Sequence, residues 1–188
     1  MTDETTQHFI PLRPPSPSRL KLLLGDITTL EVDAIVNPCQ ASLLEGGRVH
    51  TQIHAVAGPE LMLAAFLEGN CDIGEARLTP GFNLLARHVI HAVGPLWRGG
   101  KRMEDKFLAA TYRNCLLLAE EHGLRSLAFP ALSTGTRGYP MDRAAHIALR
   151  TILHFLHDFT LPERVHLVCF DPEAFSIHQQ ALKEAQPT

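Results

Sequence analysis

The sequence has few of the features that would place a protein on a membrane, on a nucleic acid or in a disulfide scaffold. Its longest apolar stretches, such as Leu22–Leu24 and Leu116–Ala119, are far shorter than a bilayer span. The formal net charge of −3 argues against a large basic surface for phosphates. The four cysteines follow no CxxC spacing, which argues against a zinc ribbon and a disulfide framework. The acidic segment Met1–Thr5 is unlike a secretory signal. We therefore expect a cytoplasmic monomer with no membrane or nucleic-acid partner.

The composition that remains is ordinary for a single globular domain. The 188 residues are 45% hydrophobic and 20% charged, which allows a core of normal size and excludes disorder throughout. The first 18 residues hold four prolines within residues 11–17 and no sustained apolar period. This composition predicts a flexible, proline-rich leader. The domain itself is expected to occupy residues 19–188.

Short apolar runs alternate with amphipathic segments along this domain. The predicted strands are Leu20–Leu24, Val32–Val36, Ala76–Leu78, Val89–Val93, Leu127–Phe129 and Val165–Phe170. The predicted helices are Val49–Leu67, Met103–His122, Met141–His157 and Pro172–Leu182. This alternation is typical of an α/β three-layer fold with helices on both faces of a largely parallel sheet. Since ligands of such sheets bind beyond the carboxyl ends of the strands, the loops that follow the strands are the candidate site.

The loop after the predicted strand Leu127–Phe129 has a composition suited to an anion. Between Pro130 and Pro140 it holds two glycines, three serine or threonine hydroxyls and Arg137, directly ahead of a helix. Free amides and short donors near a helix start can surround a phosphate. The loop lacks the lysine of a Walker motif. A flexible polar connection would have the same composition, so both interpretations stay open at this point.

Three other loops carry candidate residues, each with a structural alternative. Asp26 can accept a hydrogen bond from an exocyclic amine, or it can cap a turn. The amides of Gly46 and Gly47 can meet a phosphate, or the pair can form an ordinary turn. Arg48 can bind a diphosphate or point into water, and Phe170 can stack on a base or fill the core.

Neither a metal site nor a serine nucleophile is indicated. His50 and His54 are four residues apart on a predicted helix, which is a spacing found in metal sites. They lack the HExxH arrangement and a complementary cysteine, so we expect no metal and no cofactor. No serine lies in a GxSxG context, which argues against a serine hydrolase.

Six segments, taken in this order, resemble one family, the macrodomains, which bind ADP-ribose. They are 25–28 (GDIT), 32–37 (VDAIVN), 53–61 (IHAVAGPEL), 74–81 (GEARLTPG), 89–95 (VIHAVGP) and 128–135 (AFPALSTG). Each segment is weak alone, but all six in order are hard to obtain by chance. The resemblance covers about residues 19–182 and implies a three-layer α/β/α sandwich with a mixed, mostly parallel central sheet.

The resemblance also implies roles at the matching positions. Asp26 would accept a hydrogen bond from the adenine amine and Phe170 would lie against the adenine ring. The two loops would hold the diphosphate, and the region of Asn37 and Gln40 would face the distal ribose. The implied ligand-binding residues are Asp26, Ile27, Asn37, Gly46, Gly47, Arg48, Val49, Ser133, Thr134, Gly135, Thr136, Arg137 and Phe170.

The distal-ribose end departs from the pattern of the hydrolytic members. Those members resemble Asn-Ala-Ala-Asn followed by four glycines and Val-Asp, whereas this chain has Asn-Pro-Cys-Gln at 37–40 and Glu-Gly-Gly-Arg-Val-His at 45–50. Gln40 and His50 replace the second Asn and the Asp credited with positioning or activating water, so they are the candidate catalytic residues. A neutral imidazole can act as a base at pH 7. Cys39 would need an activating neighbour to serve as a nucleophile.

These departures lead to two functional expectations. The first is a module that binds ADP-ribose or mono-ADP-ribosylated proteins, with weak or absent hydrolysis. The alternative is an ADP-ribosyl hydrolase that removes mono-ADP-ribose from protein carboxylates or deacetylates O-acetyl-ADP-ribose. A degenerate scaffold that serves only protein contacts is a third reading, against which the retained adenine-end motifs count.

Overall fold

The computed structural model describes residues 19–185, and the predicted proline-rich leader, residues 1–18, lies outside the described residues. The strands are β1 (Leu20–Leu24), β2 (Ala34–Pro38), β3 (Ala76–Pro80), β4 (His88–Ala92), β5 (Ser126–Pro130) and β6 (Arg164–Cys169). The helices are α1 (Arg48–Ala57), α2 (Pro59–Glu68), α3 (Glu104–Glu121), α4 (Met141–Asp158) and α5 (Pro172–Ala185). The predicted alternation of strands and helices is confirmed.

The strands form one six-stranded sheet in the order β1-β6-β5-β2-β4-β3. All neighbours are parallel except the edge strand β3, which runs antiparallel to β4. The predicted mixed, mostly parallel sheet is therefore confirmed. The parallel strands are rich in fully buried apolar residues, as expected when helices cover both faces of a sheet.

The two faces of the sheet carry different helices. On one face, Ile35 and Val89 pack with Ile53 of α1 and Leu61 of α2. On the other face, residues such as Phe129 pack in a larger apolar cluster with α3, α4 and α5. Successive residues of a strand point to opposite faces, so Ile35 joins one cluster while its neighbours Ala34 and Val36 join the other.

The predicted helix Val49–Leu67 is wrong as a single element, because the chain breaks at Gly58. Gly58 has φ 90° and ends α1 with a hydrogen bond from its N–H to the carbonyl of His54, and Pro59 then starts α2. The apolar period runs through both helices and therefore concealed the break. A positive φ at glycine and a proline at the first helical position are the usual signals of such a boundary.

The strand order places a crevice between β2 and β5. The chain leaves β2 for α1 on one face and leaves β5 for α4 on the other face. The two strands pair only through Ala34–Leu127 and Ile35–Ala128, whereas β5 and β6 pair over five positions. Neighbouring strands whose connections go to opposite faces form a topological switch point, where ligands of such sheets bind.

Two further features of the structure bear on a membrane location and on disulfide bonds. Across residues 19–185, none of the helices combines the length and hydropathy needed to cross a membrane. All four cysteines are buried free thiols.

Candidate functional site at the switch point

A cavity of about 250 Å³ opens at the carboxyl ends of β2, β5 and β6. Two loops form most of its wall. We call residues 39–47, after β2, the glycine loop, and residues 131–137, after β5, the serine loop. The predicted site residues that line the cavity are Gln40, Gly46, Gly47, Arg48, Val49, Ser133, Thr134, Gly135, Thr136, Arg137 and Phe170. The structure therefore brings most of the predicted site together.

The glycine loop turns back on itself and is held against the sheet. The amide of Gln40 donates to the carbonyl of Glu45 at 2.7 Å, and the amide of Leu43 donates to the carbonyl of Gln40 at 2.9 Å. A Cβ on Gly46 would lie 2.5 Å from the Cβ of His50 and 2.7 Å from the carbonyl oxygen of Pro38, so only glycine fits there. Glu45 is exposed and outside the cavity lining, which keeps its charge out of the cavity.

The serine loop has a fixed backbone and an unused hydroxyl. The amide of Leu132 donates to the buried Tyr112 hydroxyl at 3.1 Å, and the amide of Tyr139 donates to the carbonyl of Ser133 at 3.0 Å. Ser133 has φ 65°, a conformation that costs a non-glycine residue about 1–3 kcal/mol. Its Oγ is buried and has no hydrogen-bond partner in the described part of the chain. Buried polar groups in native proteins are nearly always hydrogen-bonded, so this hydroxyl is free to bond a ligand.

Two arginines cross the cavity from its opposite sides. The guanidinium of Arg48, at the start of α1, lies over the ring of Phe170, 3.8 Å from its centroid. Phe170 is 44% exposed, so it belongs to the site rather than the core. From the serine loop, Arg137 donates through Nη2 to the carbonyl of Cys39 at 3.1 Å. Both arginines line the cavity, which therefore has a cationic wall.

Asp26 and Ile27, both predicted to bind ligand, lie outside the cavity lining. Oδ1 of Asp26 accepts hydrogen bonds from the amide of Thr28 at 2.9 Å and from its hydroxyl at 2.8 Å. Its Oδ2 accepts a hydrogen bond from Nε2 of Gln52 on α1. Asp26 therefore caps the turn Ile27–Thr29, as in the structural alternative above, and its carboxylate retains acceptor capacity for a ligand. Its role toward adenine stays a prediction.

Asn37 and His50 are also outside the cavity lining, in a buried polar cluster beneath the glycine loop. Nδ2 of Asn37 lies 3.2 Å from Nδ1 of His50 and 3.1 Å from Nδ1 of His91. The rings of His50 and His54 are 4.2 Å apart between centroids. Burial lowers the pKa of all three histidines, to about 4 for His54 and about 3 for His91. All three are therefore neutral at pH 7.

The groups near the cavity are poorly suited to proton transfer or nucleophilic attack. Burial raises the pKa of Cys39 to about 12, so its thiol is protonated at neutral pH. The single carboxylate in the lining is Asp171, whose Oδ1 accepts from the amide of Ala174 at the start of α5. Within residues 19–185, His, Cys, Asp and Glu side chains form no group of three suited to a metal ion.

Several residues of the site are absent from the predicted set. Ala92 and Gly94 line the cavity from the end of β4, and Met141 and Ala174 line it from the starts of α4 and α5. The sequence could have predicted Ala92 and Gly94. Its alternation of strands and helices predicts a parallel sheet, and the carboxyl end of β4 then lies at the same sheet edge as the predicted site. Gln52, which donates a hydrogen bond to Asp26, could not have been predicted, because no local pattern marks it and its role depends on a contact made only in the folded protein.

The fold and the site together define the class: a doubly covered α/β sheet whose ligand site is enclosed by two loops at a switch point. The comparisons with known proteins agree with this class. A family profile described as the Macro domain matches residues 36–148, and the chain belongs to the macrodomain family.

Individual relatives and solved structures cover most of the chain. It is 50% identical over 171 residues to the O-acetyl-ADP-ribose deacetylase of Salmonella newport (strain SL254), covering 89% of this chain and 96% of that protein. The Oceanobacillus iheyensis macrodomain with ADP superposes with a TM-score of 0.83 at 40% identity, covering 88% of this chain and 90% of that one. The Trypanosoma brucei macrodomain in complex with ADP-ribose superposes with a TM-score of 0.82 at 37% identity, covering 91% and 74%.

Proposed function

We propose that this macrodomain binds ADP-ribose, free or attached to a protein, at the cavity between the glycine and serine loops, and that its hydrolytic activity is weak or absent. The observation that carries the binding proposal is Ser133. Its hydroxyl is buried, unpartnered among residues 19–185 and held in a strained backbone conformation beside a cationic wall. A phosphate oxygen would satisfy this donor and the free amides around it.

In this proposal the ligand spans the cavity from Phe170 to Gln40. Phe170 offers its exposed face to the adenine, and Asp26 accepts from the adenine amine next to Ile27. The diphosphate lies between Gly46-Gly47 and the serine loop, which approach each other closely: a Cβ on Gly47 would lie 3.5 Å from Oγ1 of Thr136. The remaining diphosphate contacts come from Arg48, Val49, Thr134, Gly135 and Thr136.

The distal ribose would then lie at the end of the cavity formed by Gln40 and Arg137. Asn37 is fully buried below this end, and its Oδ1 has no partner within residues 19–185. We therefore assign Asn37 to the support of this end and Gln40 to the contact with the ribose. The guanidinium of Arg137 is held in place by the carbonyl of Cys39 and keeps other N–H donors for the ligand.

The proposal of weak hydrolysis rests on the groups that line the cavity. A general base needs a free acceptor within hydrogen-bond reach of the attacking water. The ionisable lining residues are Cys39, Arg48, Arg137, Cys169 and Asp171. Burial raises the pKa of both thiols, so they are protonated at neutral pH; the arginines are cations, and Asp171 lies beside Phe170 at the other end of the ligand.

The alternative function is deacetylation of O-acetyl-ADP-ribose or removal of mono-ADP-ribose from protein carboxylates. The observation that favours it is that relatives about 50% identical over most of the chain carry the name O-acetyl-ADP-ribose deacetylase. In that case the bound diphosphate would itself have to orient the water, since no lining group is placed to act as a base.

Calorimetry with ADP-ribose and with AMP tests the binding proposal. We expect ADP-ribose to bind at least ten-fold more tightly than AMP, because only ADP-ribose reaches the glycine loop and the distal end. Ser133→Ala should lower the affinity for ADP-ribose by about ten-fold through loss of one charge-assisted hydrogen bond, and should lower the affinity for AMP less. No heat and no thermal shift at millimolar ADP-ribose would contradict the proposal.

Hydrolysis assays on O-acetyl-ADP-ribose and on a mono-ADP-ribosylated protein separate the two functions. The binding reading predicts turnover about a hundred-fold or more below that of an active family member at equal enzyme concentration, which is the usual contribution of a positioned base. Equal turnover would reject that reading and leave the deacetylase or hydrolase reading in its place.

A further inference from the structure

The loop between β4 and α3 lies against the serine loop. We call residues 95–103 the tryptophan loop, because they hold Trp97, the single tryptophan of the chain. The amide of Trp97 donates to the carbonyl of Arg137 at 2.9 Å, and its ring lies 4.7 Å from the ring of Tyr139 between centroids. The tryptophan loop therefore supports the end of the serine loop that carries Arg137.

A single buried carboxylate holds the tryptophan loop in shape. Glu104, the first residue of α3, is 2% exposed. Its Oε1 accepts hydrogen bonds from the amides of Arg98 at 3.0 Å and Gly100 at 3.1 Å, and its Oε2 accepts from the amide of Arg102 at 2.6 Å. Hydrogen bonds from amides to an ionised carboxylate are stronger than those between neutral groups. Glu104 thus connects three positions of the loop to the start of a helix.

The same hydrogen bonds keep the carboxylate of Glu104 ionised. Burial opposes a charge at this position, but the amides that donate to Glu104 hold its pKa below the ordinary value. The side chain lies outside the cavity lining. Glu104 is therefore neither a base for water nor a group that touches the ligand, and its effect on the site passes through the tryptophan loop.

Arg137, at the distal end of the cavity, is held by contacts outside its own loop. Its main chain lies in a turn that the amide of Gly138 closes by donating to the carbonyl of Gly135 at 2.9 Å. The amide of Trp97 holds this turn from the β4 side, and the carbonyl of Cys39 holds the guanidinium from the β2 side. A shift of the tryptophan loop would therefore move the cationic group at the distal end.

We propose that Glu104 is a positioning residue for the distal end of the ligand site, which acts through the tryptophan loop on Arg137. The part that concerns the ligand rests on the proposed function, whereas the support of the loop is a property of the fold. The affinity for a ligand that reaches the distal end then depends on a carboxylate outside the cavity. Ligands that end at the diphosphate depend on it much less.

Two matched variants separate this role from a general loss of stability. Glu104→Ala removes the acceptor of three loop amides. Asp33→Ala removes a carboxylate of the same kind, whose Oδ2 accepts from the amides of Arg125 at 2.9 Å and Ser126 at 3.0 Å. Asp33 directly precedes β2, so it lies at the amino ends of the parallel strands, at the sheet edge opposite the cavity. Glu104→Gln is the conservative variant, which keeps the length of the side chain but only one acceptor oxygen.

The fluorescence of the single tryptophan reports on the loop without any ligand. Acrylamide should quench Trp97 more strongly in Glu104→Ala than in the wild type, because the loop opens more often when its amides lose their acceptor. Quenching in Asp33→Ala should equal that of the wild type, and quenching in Glu104→Gln should be intermediate. Wild-type quenching in Glu104→Ala would overturn the support of the loop by Glu104.

Calorimetry with ADP-ribose and with ADP measures the effect on the site. ADP carries the adenine and the diphosphate but no distal ribose. We expect Glu104→Ala to lower the affinity for ADP-ribose about ten-fold, which is the effect of one lost charge-assisted hydrogen bond, and the affinity for ADP less than about two-fold. Glu104→Gln should lower the affinity for ADP-ribose about three-fold, and Asp33→Ala should lower neither affinity more than about two-fold.

An equal loss of affinity for both ligands in Glu104→Ala would overturn the inference, and so would the same loss of ADP-ribose affinity in Asp33→Ala. Either result would leave Glu104 with a purely structural role. If the wild type binds neither ligand, the proposed function fails and the quenching data alone decide the inference. If Glu104→Ala does not fold, Glu104→Gln carries both comparisons with its smaller expected changes.

Discussion

The two loops that enclose the cavity are supported in different ways. The glycine loop rests on neutral imidazoles and one amide, buried between β2, β4 and α1. The serine loop rests on an apolar layer in which the rings of Tyr112 and Phe129 lie 5.1 Å apart, and the tyrosine hydroxyl accepts from the amide of Leu132. One wall of the site therefore depends on groups that titrate below neutral pH, and the other wall does not. The predictions below test this difference.

The largest effect is expected from removing the amide that joins the histidines. Asn37→Ala leaves two buried Nδ1 atoms without their hydrogen-bond partner and opens a small cavity. We expect the free energy of unfolding to fall by about 3 kcal/mol, measured by urea denaturation at pH 7. A loss below about 1 kcal/mol would mean that the cluster is satisfied in another way.

The corresponding change under the serine loop should be smaller. Tyr112→Phe keeps the ring and its packing but leaves the buried amide of Leu132 without an acceptor. The expected loss is about 1.5 kcal/mol in the same denaturation experiment. This loss should be the same at pH 7 and pH 5, because the phenol is uncharged at both. A loss that grows toward pH 5 would remove the contrast between the two walls.

Acid should destabilise the fold through the neutral histidines beneath the glycine loop, in addition to His166 and His178, whose pKa values burial also lowers. The pKa values of His54 and His91, about 4 and about 3, lie below the ordinary value for histidine, so the unfolded chain takes up protons first as the pH falls. Stability should therefore decrease between about pH 6 and pH 5, by roughly 1.4 kcal/mol per pH unit for each histidine that stays neutral in the fold.

The variant His54→Phe tests this slope. The two nitrogens of His54 have no partner within residues 19–185, so the substitution breaks no hydrogen bond there and removes one titrating group. We expect the slope of unfolding free energy against pH to fall by the contribution of one proton. An unchanged slope would show that His54 is protonated in the native protein at these pH values.

The smallest expected effect concerns the contact that Arg48 makes across the cavity with Phe170. Phe170→Leu should lower the affinity for ADP-ribose about five-fold, because base–aromatic stacking contributes roughly 1–3 kcal/mol and leucine replaces part of that contribution. Arg48→Met should change affinity less than about two-fold, since it frees the ring face from a contact of about 0.5–1 kcal/mol but also removes a charge near the diphosphate. Calorimetry measures the affinity of both variants. Equal losses of affinity would show that Phe170 does not stack on the adenine.

The sequence pattern was sufficient to predict the sheet, most helices and both loops of the site. Apolar runs such as Leu20–Leu24 are bounded by turn residues, and the carboxyl ends of parallel strands must meet at one edge. The break at Gly58 was missed because the apolar period of α1 continues into α2. The exposure of Phe170 could not be predicted, because a phenylalanine at a strand end has the same local pattern in a core and at a ligand site.

The polar cluster was beyond prediction for a different reason. Asn37, His50 and His91 come from three elements, and only the register of β2 with β4 and the packing of α1 bring them together. The spacing of His50 and His54 occurs in metal sites, but with no further ligand in the pattern it predicted no metal and gave no sign of the cluster. Side chains that act through long-range hydrogen bonds leave no periodic signal in one sequence.

The position of Cys39 gives the protein a chemical reporter of its own. All four thiols are buried, and burial raises the pKa of each: Cys39 to about 12, Cys169 to about 11, and those of Cys71 and Cys115 as well. Alkylating reagents react with thiolates, so modification at neutral pH requires part of the structure to open. Cys39 is the thiol that lies in the glycine loop itself, 2% exposed and at the cavity wall. The rate at which it is alkylated therefore measures how often that loop opens, and a bound ligand would slow the reaction in proportion to its occupancy.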